Sequence, residues 1–180
     1  IYRPPLIAGP SCGSAWHQGD LLQRLLQGCL ALGASPDLAW ELDVVPVDYV
    51  ADAVSALVWR DEAQGHAFHL QHPEPLLLTT LLRQLTDGMD CWRVLPMQEW
   101  IVEIERSSGN PLQPLLPFLQ RGWGEDGLTY PERNCVGQRA RPSCAFTTQV
   151  LETHGVYCPP WHQLIGPWAS VLLQQEQLAR

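Results

Sequence analysis

The sequence predicts an α/β fold, the carboxy-terminal part of a mostly parallel sheet followed by a mainly helical region, and three observations carry this. Over residues 1–87, short apolar runs of strand length alternate with amphipathic stretches of helical period, the pattern of sheet strands joined by crossover helices. From residue 88 onward the apolar residues recur mainly at helical spacing. A hydrophobic share of 46% with only 17% charged residues belongs to a chain that buries a core, while 16 prolines and 14 glycines break it often. The expected organisation is therefore a sheet portion over 1–87 and a helical subdomain over 88–180.

The opening run Ile1-Tyr2-Arg3-Pro4-Pro5-Leu6-Ile7-Ala8-Gly9 reads as a proline-interrupted strand that runs into a loop. Because it starts inside a strand pattern, the segment is expected to be the downstream part of something larger. Between Asp20 and Leu32, leucines and Cys29 recur at three- and four-residue steps, with Asp20 suited to cap the amino end and Gly33 to take a left-handed carboxyl cap. Residues 40–47 read as a short extended segment. Asp48 then stands as the expected cap of a helix through Val50, Ala53, Val54 and Leu57 that ends near Arg60. A strand over 67–71 and a helix over 76–85 follow, separated by the turn Pro73-Glu74-Pro75. Beyond these, Pro96 suits the first turn of a helix reaching Arg106, and residues 111–119 make a short apolar element. Residues 121–145 read as a long surface loop, and a last helix is expected from Pro159-Pro160 through Trp168 to Leu173.

Bulk chemistry excludes several classes. A formal net charge of -8 and a pI near 5.1 provide no basic stripe to neutralise phosphates, so no nucleic-acid partner is expected. No run approaches the roughly 20 apolar residues of a spanning helix, and no membrane partner is expected. Six cysteines in a chain rich in aliphatics read as reduced thiols rather than a disulfide framework, which points to the cytoplasm. His154, Cys158 and His162 are spaced by four, but without paired ligands on turns they predict no metal site. All eleven basic residues are arginines; the chain contains no lysine.

Two motifs need structural context to mean anything. Gly122-x-Gly124-x-x-Gly127 has dinucleotide-binding spacing, yet it neither follows a strand nor opens a helix, and Glu125 and Asp126 occupy the place of a phosphate. It reads as loop glycines. Gly9-Pro10-Ser11-Cys12-Gly13 fits the nucleophile elbow of serine hydrolases, with Asp48 and His154 following in the required order, but the residues after Ser11 read as loop instead of helix.

Several longer segments resemble one family. Ile1-Tyr2-Arg3-Pro4-Pro5-Leu6-Ile7-Ala8-Gly9 is similar to a Tyr-Arg-Pro-Gly-x-Ile-x-Gly strand, with Pro5 in place of glycine. Pro46-Val47-Asp48-Tyr49-Val50 matches a Pro-Val-Asp-Tyr-Val segment, and Phe68-His69-Leu70-Gln71-His72-Pro73 its following strand. Cys144-Ala145-Phe146-Thr147 and Cys158-Pro159-Pro160 resemble Cys-x-Asn-Thr and Cys-Pro-Pro landmarks, Phe146 replacing asparagine. In this order they resemble the terminal thioester reductase domains of nonribosomal peptide and polyketide synthases and the related carboxylic acid reductases, within the extended short-chain dehydrogenase/reductase superfamily.

The resemblance implies a Rossmann-like sheet, NADPH as cofactor, and a partner acyl or peptidyl carrier protein presenting a phosphopantetheine thioester. It further implies that Arg3, Pro4, Pro5, Leu6 and Ile7 line the nicotinamide side, that Trp16, Asp48 and Tyr49 serve substrate binding, and that an upstream Rossmann half completes the site. In such enzymes a Tyr-x-x-x-Lys pair polarises the carbonyl, the ammonium lowering the tyrosine pKa. Here the residues four after Tyr2, Tyr49, Tyr130 and Tyr157 are Leu6, Ala53, Asn134 and Trp161, so no catalytic residue is assigned and the segment alone is not expected to turn over. A non-catalytic module that binds carrier or acyl chain, and a serine hydrolase using Ser11, are the alternatives.

Overall fold

The computed structural model describes all residues other than 14, 15, 18, 87–91, 139 and 179–180, and all side chains other than those and 62 and 175–178. In chain order the elements are β1 (Tyr2–Arg3), β2 (Leu6–Ala8), α1 (Leu21–Leu32), β3 (Ala34–Pro36), β4 (Glu41–Leu42), β5 (Val44–Pro46), α2 (Val47–Leu57), β6 (Phe68–His69), β7 (Leu76–Leu77), α3 (Leu78–Leu85), β8 (Arg93–Leu95), α4 (Met97–Arg106), α5 (Leu116–Gln120), α6 (Tyr130–Arg133), α7 (Ala145–Thr153) and α8 (Trp161–Leu178). The fold class is the expected α/β. Contacts gather these elements into two units, Ile1–His17 with Asp43–Pro75 and Arg141–Val171, and Gln18–Leu42 with Leu76–Ala140 and Leu172–Arg180. Each unit draws on residues before and after 88, so the spatial division and a sequential one are different cuts; the expected boundary at 87 and 88 itself lies outside the described residues.

The first unit is built on parallel pairing. Pro4 and Pro5 have no backbone N–H, so the opening segment cannot keep one continuous ladder and changes neighbours across them. Before the prolines, Tyr2 and Arg3 pair with Phe68 and His69 of β6; after them, Leu6, Ile7 and Ala8 pair with Val44, Val45 and Pro46 of β5. The chain leaves β5 straight into α2, whose Tyr49, Ala53 and Leu57 recur at four-residue steps and bury one face. That face joins Val45, Phe68, Leu70 and Leu151 in one apolar cluster. Helix α7 supplies Leu151, and its buried Thr147 hydroxyl accepts from the His69 N–H at 3.0 Å.

In the second unit α1 has the expected ends: the Asp20 carboxylate accepts from the Gln23 N–H at 2.7 Å, and Gly33 sits at φ 60 in the left-handed region. Strand β3 pairs in parallel with β8, Ala34 to Arg93 through Pro36 to Leu95, while β4 and β7 pair antiparallel. Against α1, Gly28 meets the 110–112 turn; Asn110 donates to the Gly28 carbonyl at 3.1 Å and accepts from the Leu112 N–H at 2.9 Å.

Several expectations are corrected. Pro46, not Asp48, is the N-cap of α2; Asp48 lies inside the first turn, and the helix stops at Leu57 instead of Arg60. The expected loop over 121–145 contains α6, closed by a capping box in which Thr129 and Glu132 satisfy each other's backbone N–H. Helix α7 had no counterpart in the sequence reading. Helix α8 begins at Trp161 as expected but runs past Leu173 to Leu178 with Pro167 inside it. Gly122 to Gly127 lie in an exposed turn closed by a bridge between Trp123 and Leu128. No helix among the described residues is long and apolar enough to cross a membrane.

Candidate functional site at the strand ends

In open α/β sheets ligands bind at the carboxyl ends of the parallel strands, where each chain turns from strand into loop or helix. In the first unit those ends are the loop after β2, the first turn of α2 after β5, and the segment after β6. The loop after β2 is pinned from two directions. From α2, the Asp48 carboxylate accepts from the Ser11 N–H at 3.1 Å on Oδ1 and 3.0 Å on Oδ2, and the Ser11 hydroxyl donates to Oδ2 as well. The same carboxylate accepts from the Tyr49 N–H at 3.1 Å on Oδ1. A carboxylate in the first turn of a helix is favoured by the positive end of the helix dipole. From α8, the Trp168 indole N–H donates to the Pro10 carbonyl at 3.2 Å, and the Trp16 ring meets Trp168 edge-on with centroids 5.4 Å apart. Gly13, at φ 100, takes a turn that a side chain would strain.

The segment after β6 is held by an imidazole. His72 is buried, and its Nδ1 accepts from the Glu74 N–H at 3.0 Å while its Nε2 reaches the Pro159 carbonyl at 3.1 Å. Its ring stacks on Trp161 at 3.8 Å and 20°, the Trp161 N–H donates to the Glu74 carbonyl at 3.2 Å, and Arg141 donates to the His72 carbonyl. Burial pushes the His72 pKa down, so the neutral ring is favoured. One residue earlier, the Gln71 amide donates to Asp43 Oδ2 at 2.7 Å, and Gln71 Oε1 and Asp43 Oδ1 are buried with no donor among the described residues.

The residues singled out by sequence fall in different settings. Arg3 and Pro4 are exposed, Pro5 and Leu6 half-buried, and Ile7 is 41% exposed, an apolar surface on β2 just before the pinned loop. Asp48 is half-buried in the first turn of α2, its carboxylate on the loop as described. Trp16 and Tyr49 are 7% and 5% exposed, packed respectively against Trp168 and within the α2 cluster. Burial, followed by the nearby Cys158 and Cys144 thiols, raises the Tyr49 pKa above its ordinary value. Burial likewise pushes the Cys158 thiol up to about 12, with Cys144 and Asp48 adding to it. Sequence reasoning missed His72 and Trp161 as a pair, 89 positions apart by number, because nothing local marks a stacked ring.

Ser11 and Asp48 do come together, but the hydroxyl donates directly to the carboxylate, whereas a hydrolase triad needs an imidazole between them. The next helix, α1, begins only at Leu21, and His154 caps the carboxyl end of α7. The nucleophile-elbow geometry is therefore not formed. Among the described residues no three His, Cys, Asp or Glu side chains gather as a metal site.

Parallel strands leading into a helix, with a loop fixed at their carboxyl ends, are those of an open α/β sheet. The chain is similar to the carboxy-terminal portion of the terminal reductase domains of nonribosomal peptide and polyketide synthases. The terminal reductase domain of the myxalamid polyketide and peptide synthase pathway superposes with a TM-score of 0.77 at 30% identity, over 97% of this chain and 43% of that one. A nonribosomal peptide synthetase of Aspergillus hancockii is 32% identical over 126 residues, 66% of this chain and 12% of the relative. A thiolation-reductase di-domain from an archaeal nonribosomal peptide synthetase shares the fold, with a TM-score of 0.69 at 15% identity over 100% of this chain and 36% of that one. No protein-family model matches the chain. The chain thus spans about an eighth of the Aspergillus relative.

Proposed function

We propose that this chain is the substrate-binding part of an NADPH-dependent thioester reductase that releases a carrier-bound acyl chain as an aldehyde or an alcohol. The observation that carries the reading is the superposition on a terminal reductase domain over 97% of the chain at 30% identity. The thiolation-reductase fold relative supports a carrier protein with a phosphopantetheine arm as the partner. NADPH supplies the hydride when bound. The residues here fit one wall of its site and not the whole: Ile7 offers an apolar surface on the strand and Arg3 an exposed cation, but no lysine exists to assist a tyrosine.

In this reading Arg3, Pro4, Pro5, Leu6 and Ile7 run along the nicotinamide side, and Trp16, Asp48 and Tyr49 border the substrate side. The first unit would complete the cofactor sheet, with an upstream Rossmann half contributing the glycine-rich turn and the Tyr-x-x-x-Lys pair. The second unit would form the substrate subdomain, a refinement of a sequential division into 1–87 and 88–180. A cytoplasmic setting fits the five described cysteines, all free thiols.

The test is NADPH oxidation by the protein at its full encoded length, supplied with acyl thioesters on pantetheine and on a carrier protein. Loss of NADPH absorbance matched by aldehyde or alcohol, with the carrier-bound thioester the better substrate, is expected. Absence of NADPH binding and of any reduced product would overturn the reading.

A further inference from the structure

We propose that Asp48 is a positioning residue: acting through Ser11, it fixes residues 9–13 as a rigid rim of the cofactor and substrate site and does not itself touch substrate. This rests on the reductase reading for what the rim borders, but the clamp stands on its own geometry. A carboxylate has about four acceptor positions. Three donors engage it here: the Ser11 N–H, shared between Oδ1 and Oδ2, the Tyr49 N–H on Oδ1 and the Ser11 hydroxyl on Oδ2. Both oxygens are engaged by the protein's own donors, so the charge does its work on the loop.

That work falls on one loop. Ser11 is held at both its backbone and its side chain, its neighbour Pro10 is held by the Trp168 indole at 3.2 Å, and Gly13 turns the chain at φ 100. The contacts come from α2 and α8, elements anchored by the buried faces of Tyr49, Ala53 and Leu57 and of Leu164, Ile165 and Trp168. A loop held this way leaves the carboxyl end of β2 already ordered, so a ligand that settles against it does not bear the entropy cost of ordering it. Removing the clamp should weaken binding and leave the chemical step alone, because these groups act on the loop.

The experiment compares Asp48→Asn, Ser11→Ala and the double variant in the protein at its full encoded length. Asp48→Asn puts an amide N–H2 where Ser11 presents two donors, and Ser11→Ala removes the hydroxyl contact while leaving the N–H. Two readouts are taken: hydrogen exchange of residues 9–13, and KM for the acyl thioester with Kd for NADPH set against kcat. Asp48→Asn is expected to speed exchange in residues 9–13 and to raise KM or Kd by about tenfold with kcat within about twofold, the signature of lost binding. Ser11→Ala is expected to be intermediate, and the double variant no worse than Asp48→Asn alone, since both remove one clamp. Unchanged exchange, additive effects of the two substitutions, or a fall in kcat at unchanged KM would each overturn the proposal. If the unsubstituted protein neither binds NADPH nor reduces thioesters, the reductase reading has failed, and the exchange data alone then support or overturn the clamp.

Discussion

At the scale of single residues, two buried groups make predictions that separate chemistry from packing. Burial lowers the pKa of His72 from 6.5, with the Glu74 carboxylate opposing and the Arg141 guanidinium reinforcing the shift. The folded protein therefore binds fewer protons here than the unfolded chain once pH falls below about 6.5, so stability is fully present above that value and drains away as pH drops through the lowered pKa. Denaturant midpoints of wild type and His72→Gln, taken from about pH 7.5 down to about pH 5, should show the variant less stable at the upper end by about 1 kcal/mol and less sensitive to acid. An equal acid response in both would remove His72 as the cause. Asp43 and Gln71 behave differently, because each keeps one buried oxygen with no donor among the described residues. Asp43→Asn supplies an amide that can face Gln71 Oε1 and should be neutral or stabilising, whereas Asp43→Ala strands the Gln71 amide and should cost about 1–3 kcal/mol in urea melts. Little of this was legible in the sequence: aspartate at position 48 looks the same whether it caps its own helix or clamps a loop 37 positions away, and only the fold shows that Pro46 caps and Asp48 clamps.

At the scale of elements, what could be read was what is local. The ends of α1 were marked by Asp20 and Gly33 because a cap is made within three or four residues of the helix it closes. Helix α7 left no such mark: only Thr147 and Leu151 are buried along it, too few to show a period, and its place is set by α2 and β6. Strands β3 and β8 are three residues each and pair across some sixty positions, beyond any local signal. Gly28 joins the two levels. Helix propensity alone would favour alanine there by about 1 kcal/mol. An added Cβ, however, would lie 2.4 Å from Leu112 Cγ and 2.8 Å from Asn110 Oδ1, and Leu112 is fully buried. Gly28→Ala should thus destabilise by about 1–3 kcal/mol, the cost of overpacking, with the denaturant midpoint as the measurement. A more stable variant would mean that the 110–112 turn yields more easily than its hydrogen bonds suggest.

At the scale of the whole molecule, charge sets what the 180 residues can hold by themselves. A net charge of -8 opposes a polyanionic dinucleotide, and neither a lysine in the sequence nor a glycine-rich strand-turn-helix among the described residues offsets it. Calorimetric titration of the 180 residues with NADPH should give a Kd no tighter than about millimolar, equivalent to about -4 kcal/mol. Micromolar binding would show that these residues build a nucleotide site without an upstream half. The paired prolines at positions 4 and 5 carry a last consequence. Ladders of two and three residues are short enough to slip, and a one-residue slip would turn Ala8 outward and Ile7 inward. Any such shift, however, drives a residue with no N–H into a position where the neighbouring strand expects a donor. The prolines thereby act as a stop that keeps both pairings in step, so the loop beginning at Gly9 always emerges at the same height above the sheet.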